Sequence, residues 1–313
     1  MKPYDNEPQQ RTIVEVQPEW ALESEPMGTK DKVWYRVPVG DGQPLGAKHL
    51  FKRSREATGE HWAEVIAADV AEVLGIDHAE YKLARLGEDV GVSTKSFISS
   101  GQELIHGNQI LARQVHGYAE GKMWQQADHT FANIMDSMNR VFSEEQHRIE
   151  AMRQLCEFLV LDAVIGNTDR HHENWGVVRE RAGDGFVGFV APSFDHASSL
   201  GRELVDEGTR QACRVKILRD GHMHWYAEDK ARGAVYWSSD SKHCPSPVSL
   251  VQMAASDRPE LFDGALKSLS MLDRAGLEVI VSKIPDGWMT DLAREFALEL
   301  MCYNLDRLRA LAK

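Results

Sequence analysis

One passage constrains this chain's fold more than any other. A helical apolar pattern runs through Ile149, Met152, Leu155, Cys156, Leu159 and Val160, stops at Gly166-Asn167, and gives way to a strand pattern at Trp175. Between them lies Asn167-Thr168-Asp169-Arg170-His171-His172-Glu173-Asn174, polar at every position. Such a loop is held at both ends by buried elements, so its side chains are fixed in space. An aspartate and an asparagine five positions apart can then divide one task. The carboxylate orients a hydroxyl for attack, and the amide oxygen helps to hold a metal-bound phosphate. A second carboxylate follows in Ser193-Phe194-Asp195-His196-Ala197, just past another strand.

The sequence around this passage divides in two. Val33–Val39 and Ala47–Lys52 read as strands joined by turn chemistry at Gly40-Asp41-Gly42. A helix follows Thr58, with Trp62, Ile66, Val70, Val73 and Leu74 on its apolar face and Gly75 at its end. Tyr81–Leu86 and Val92–Ile98 are two further strands. Beyond Gly101 the pattern is helical, through Phe131, Ile134, Met135, Met138, Val141 and Phe142. Ser143 and Gln146 form a capping box for the next helix. Trp175–Arg179 and Phe186–Val190 read as a hairpin around Gly183-Asp184-Gly185, and Thr290–Ala312 as a final amphipathic helix. The expected class is α+β with two lobes. Residues 1–25 form a weakly ordered lead-in, residues 26–104 a β-rich N-lobe, and residues 105–313 a helical C-lobe carrying the polar loop.

Bulk properties exclude several alternatives. A net charge of −12 over 313 residues argues against direct nucleic-acid binding. The four cysteines are far apart and form no Cys-x-x-Cys pair, which leaves no zinc cage or disulfide framework to infer. The most apolar stretch, Phe158–Ile165, is interrupted by Asp162 and too short to span a bilayer. The expected location is a reducing cytoplasm, away from membranes.

Phosphoryl transfer from ATP requires positioning and charge compensation more than covalent chemistry. Lys52, at the end of its strand, is placed to reach the phosphates. Glu64, in the following helix, is a candidate to fix that lysine, with Glu60 and Glu72 as alternatives. Asp169 would act as base on the acceptor hydroxyl, while Asn174 and Asp195 would hold Mg²⁺ through hard oxygen donors. Arg170 and His171 either brace the loop or meet a phosphate. His171-His172 is a poor metal site because adjacent side chains diverge.

The segments Val164–Trp175, Ser193-Phe194-Asp195, Leu50-Phe51-Lys52 and Glu64 to Gly75-Ile76 together resemble the kinase core of HipA-like proteins. These are bacterial serine/threonine kinases distantly related to phosphatidylinositol 3/4-kinases. The resemblance covers roughly residues 28 to 310. It implies a protein-kinase-like fold using ATP and Mg²⁺, with Lys52 on the phosphates and Glu64 as its ion-pair partner. It also implies Asp169 as base and Asn174 and Asp195 as metal ligands, with transfer to a protein hydroxyl and autophosphorylation. HipA toxins usually carry an additional N-terminal subdomain, so the expectation here is a compact, stand-alone kinase. An antitoxin or regulatory partner is left open. No Gly-x-Gly-x-x-Gly loop is present, and Gly28-Thr29-Lys30 is the candidate phosphate contact.

The loop also looks like that of type II phosphatidylinositol 4-kinases, which makes a lipid or small-molecule kinase the alternative. Residues 209–245 hold seven Lys/Arg against four Asp/Glu, together with Trp225, Tyr226, Tyr236 and Trp237. Their position after Asp195 suggests an activation and acceptor-docking segment through Arg214 and Lys216. Ser198 or Ser199 would be its phosphorylation site.

Overall fold

The computed structural model describes residues 10–24, 32–38, 46–208 and 212–311. The N-terminal part is a six-stranded sheet built from β1 (Val14–Val16), β2 (Ala21–Ser24), β3 (Lys32–Arg36), β4 (Lys48–Arg53), β5 (Tyr81–Leu86) and β6 (Asp89–Lys95). Its strand order is β1-β5-β6-β4-β3-β2, with only the β1–β5 pair parallel. Thus β1 and β2, from the stretch read as a lead-in, are the two edges of the sheet. Three- and four-residue strands are too short to show a period of two, and pairing with β5 and β3 supplies what local pattern could not. The turn expected at Gly40–Gly42 and the candidate phosphate contact Gly28-Thr29-Lys30 lie outside the described residues.

Helix α1 (Glu60–Leu74) packs on β5 and β6 with one side and on the helical lobe with the other. Ala63, Val65, Ile66, Ala67, Val70 and Ala71 are consequently all fully buried, so the helix is apolar around most of its circumference. Gly75, at φ 70°, closes it by donating back to Ala71 and Glu72.

Downstream, β7 (Gln102–His106) leads into α2 (Gly107–Ala112), α3 (Phe131–Val141) and α4 (Glu145–Ile165). β8 (Gly176–Ala182) and β9 (Gly185–Val190) form the hairpin seen in the sequence, and β7 adds as its third strand. The segment after Gly101 is therefore extended before it becomes helical. α5 (Arg214–Arg219), the single turn α6 (Met223–Trp225), α7 (Pro247–Asp257), α8 (Pro259–Ser268), α9 (Arg274–Ser282) and α10 (Asp291–Arg309) complete the lobe.

α4 is the axis of this lobe, packed against α3, α7, α8 and α10. The capping box expected at its start is absent. Glu144 is the cap residue, Gln146 turns outward to Glu150, and Arg148 takes the Ser143 carbonyl. At the other end, Phe158 to Ile165 are buried on every side. Gly166, at φ 64°, ends the helix and releases the chain into the polar loop. Among the described residues no helix is long and apolar enough to cross a membrane.

Candidate active site

Lys52 lies on β4, Tyr81 begins β5 and Glu64 sits on α1. Lys52 Nζ lies 3.5 Å from Glu64 Oε1 and 3.3 Å from Asp195 Oδ2. Lys52 and Glu64 are buried at 7% and 1% exposure, so this is a desolvated ion cluster rather than a surface pair. Burial by itself opposes the Lys52 charge. The carboxylates of Asp195, foremost, and of Glu64 outweigh it and hold the ammonium well above the ordinary lysine value. Of the three glutamates on the helix, Glu64 is the partner. Glu60 binds Arg55 and Arg202, and Glu72 faces His78.

Glu64 also organises the segment around Asp195. Its Oε2 accepts the His196 backbone N–H at 2.7 Å, while Tyr81 Oη accepts the Asp195 N–H at 3.1 Å. Burial, with the Glu64 carboxylate, pushes the Tyr81 phenol up and keeps it protonated. Asp195 is held at φ 59°, a left-handed conformation that aspartate tolerates better than most residues.

The polar loop is held by Arg170, which is 4% exposed. Its Nε and one terminal nitrogen form a two-point pair with Asp162 on α4, at 2.7 and 2.8 Å. The same guanidinium donates to the Asn174 carbonyl at 2.7 Å, the Phe194 carbonyl at 3.3 Å and Ser193 Oγ at 3.0 Å. Arg170 therefore ties the end of α4, the polar loop and the Asp195 segment together. Of the two roles open to it, bracing is the one the structure gives. Asn167 donates to Asp162 Oδ1 and accepts from the Asp169 N–H, which fixes the first turn of the loop.

Asn174 Nδ2 donates to the Asp169 carbonyl at 2.7 Å, which leaves the amide oxygen as the acceptor end of the side chain. Ser198 Oγ donates to Asp169 Oδ2 at 3.3 Å. Beneath the loop, Gly107 N–H meets the Trp175 carbonyl and Asn108 N–H the His172 carbonyl. A Cβ on Gly107 would fall 2.2 Å from the Trp175 ring, so the α2 terminus can approach this closely only with glycine there.

Lys52, Asp169, Asn174 and Asp195 all line one cavity of about 410 Å³ between the two lobes, a size suited to a small ligand. Leu50, Ala79, Phe97, Leu104 and Phe194 form an apolar side of it, and Phe97 and Phe194 pack at 5.7 Å. Lys32, Arg55 and Arg202 are cations on its wall that sequence reading did not single out. Asp162 was legible as a charge inside an apolar helix, but its partner Arg170 was not. Among the described residues no group of three or more His, Cys, Asp or Glu could hold a metal ion by itself. One carboxylate and one amide, completed by phosphate oxygens, are instead the donor set that suits Mg²⁺.

Two features expected of the 209–245 segment are revised. Arg214 is not a surface residue: it is 6% exposed, paired with Asp206 at 2.7 Å and bonded to the Gly201 carbonyl. Ser199 is buried with its hydroxyl on the His196 carbonyl, whereas Ser198 lines the cavity.

Comparison with known proteins places this geometry. The sequence pattern described as the HipA-like C-terminal domain matches residues 24–249. The serine/threonine-protein kinase CtkA of Helicobacter pylori strain J99 is 27% identical over 142 residues, covering 44% of this chain. That match spans 40% of the length of the curated relative. The crystal structure of a proinflammatory kinase CtkA from Helicobacter pylori superposes with a TM-score of 0.72 at 18% identity, covering 97% of this chain and 98% of the other. The HipA of Shewanella oneidensis MR-1, solved with HipB and operator DNA, superposes with a TM-score of 0.52 at 13% identity, covering 93% of this chain and 64% of the other. The two-lobed fold expected from the sequence is thus shared with both.

Proposed function

The chain belongs to the HipA-like C-terminal domain family, and from that premise and the cavity geometry we propose that it is an ATP- and Mg²⁺-dependent protein serine/threonine kinase. The observation that carries the reading is the placement of Lys52, Asp169, Asn174 and Asp195 on one cavity wall, with Lys52 clamped between Glu64 and Asp195. A solvated lysine and an ordinary turn would account for neither the clamp nor the convergence.

In this reading the apolar side of the cavity takes the adenine, and Lys52 takes the phosphates. Lys32 and Arg55 add positive charge near them. Asn174 and Asp195 would hold a magnesium ion, which would supply charge neutralisation to the phosphates. Asp169 receives the proton of the acceptor hydroxyl. The acceptor oxygen bonds to the γ-phosphorus as the bond from that phosphorus to the bridging oxygen breaks, and ADP leaves. Ser198, within 3.3 Å of Asp169, is the proposed autophosphorylation site. A regulatory protein partner, a cytoplasmic location and a distant kinship with phosphatidylinositol kinases belong to the same proposal.

Labelled ATP with Mg²⁺ tests it, using the protein alone, with a cell extract, and with phosphoinositide vesicles. Label on protein is expected, and label confined to lipid would replace this reading with that of a lipid kinase. Equal incorporation by wild type and Asp169→Ala would refute the assigned base. Phosphopeptide mapping with Ser198→Ala checks the autophosphorylation site.

A further inference from the structure

A second cavity, of about 670 Å³, adjoins the first. The two share Met123, Trp124, Thr168, His171 and Arg202. Thr168 immediately precedes the proposed base, so whatever lies in the second cavity is next to Asp169. On the kinase reading, an acceptor laid in it would meet Asp169, which lines the first cavity, across this shared rim.

Charge in this groove runs against that of the molecule. The chain carries −12 overall, yet Lys230, Arg232 and Lys242 are all exposed along the groove wall. Neither Lys230 nor Lys242 is ion-paired with any described residue. Glu203, the carboxylate on the lining, already accepts a hydrogen bond from Tyr226 at 3.1 Å. Exposed lysines alone would be an ordinary solvated surface. A further observation points to a ligand: Trp124, 62% exposed, stands where the cavities meet and offers an apolar lip beside these cations.

We propose that this groove docks an extended acidic protein segment, whose flanking carboxylates meet Lys230, Arg232 and Lys242 while its serine or threonine hydroxyl reaches Asp169. The inference deepens the kinase reading and rests on it. The basic excess noticed in residues 209–245 thereby acquires a location. Lys230, Arg232 and Lys242 carry part of it to the groove, whereas Arg214 is buried. A nucleic-acid ligand fits less well, because three cations on a strongly acidic protein supply little of the phosphate neutralisation such binding requires.

The test compares serine-centred peptides with acidic, neutral or basic flanks. Binding to Asp169→Asn is read by fluorescence anisotropy, and phosphorylation by wild type is read by label. The acidic peptide is expected to bind more tightly than the basic one, with the difference shrinking at high salt. Lys230→Glu with Lys242→Glu should weaken acidic-peptide binding by about tenfold or more and shift preference to the basic peptide. Lys267→Glu on the remote α8 should change nothing. Equal binding of acidic and basic peptides, an unchanged preference in the double variant, or tighter binding of a single-stranded RNA would each overturn the inference. If wild type labels proteins in an extract without acidic preference, only this inference falls. If acidic peptides bind but no acceptor is ever labelled, the kinase reading falls, and the acceptor role with it.

Discussion

Arg170→Lys isolates the geometric role of the guanidinium, because it keeps the charge and removes the fork. Arg170 makes five hydrogen bonds, two to Asp162 and one each to the Asn174 carbonyl, the Phe194 carbonyl and Ser193 Oγ. Burial works against its cation, and Asp162 offsets that burial to keep it charged. A lysine has three donors on a single nitrogen and cannot span an α4 carboxylate and two loop carbonyls at once. At least two charge-assisted bonds are lost, at about 1.5–3 kcal/mol each, for a destabilisation of about 3–6 kcal/mol. Domain stabilities are about 5–15 kcal/mol, so the variant should fold but melt earlier. Transfer should fall as well, because the Asn174 and Asp195 segments lose their common anchor. Thermal unfolding monitored by tryptophan fluorescence and labelled-ATP turnover at a permissive temperature measure the two effects. A variant within about 0.5 kcal/mol of wild type, a change typical of neutral surface substitutions, with unchanged turnover would refute the claim that Arg170 ties the site together.

Further outcomes follow from individual residues. Asp169→Asn should lower transfer by about 10²–10⁴-fold, the usual worth of a general base, while nucleotide binding followed by calorimetry is retained. Asp195→Asn keeps a residue that accepts the left-handed backbone at φ 59°, but it removes the carboxylate that does most to compensate the buried Lys52 charge, so it should lose stability as well as Mg²⁺-dependent nucleotide binding, as read by thermal melting and calorimetry. Glu64→Gln should weaken nucleotide affinity by about tenfold, the equivalent of one charge-assisted bond of about 1.4 kcal/mol, as measured by titration with a fluorescent ATP analogue. His129 donates through Nδ1 to the Ala234 carbonyl and accepts from Trp175 Nε1, and burial pushes it down from 6.5 to about 3. The unfolded ring takes up a proton that the folded ring refuses. Stability contributed here is therefore full above about pH 6.5 and erodes as pH falls toward about 3, at up to ~1.4 kcal/mol per pH unit. Melting temperatures across that range should show the slope, and His129→Gln should flatten it.

The sequence by itself determined the elements whose signals are local. Gly75 and Gly166 marked the ends of α1 and α4 because a left-handed residue after a helix is most easily supplied by glycine. The strand Tyr81–Leu86 and the hairpin around Gly183 were visible as alternation and turn chemistry. Lys52, Glu64, Asp169, Asn174 and Asp195 could be nominated as candidates from residue type and order, although order says nothing of distance. The edges β1 and β2, and β7 beside the hairpin, were hidden because three to five residues carry too little periodicity, and pairing with distant strands makes them. The Arg170–Asp162 anchor depends on a helix end and a loop meeting in space, and Tyr81 contributes by accepting one backbone N–H from a segment 114 residues away. The sign of charge in residues 209–245 was legible too. Only the fold could decide that Arg214 is spent on an internal pair while Lys230 and Lys242 face a groove, because burial is a property of the packed chain.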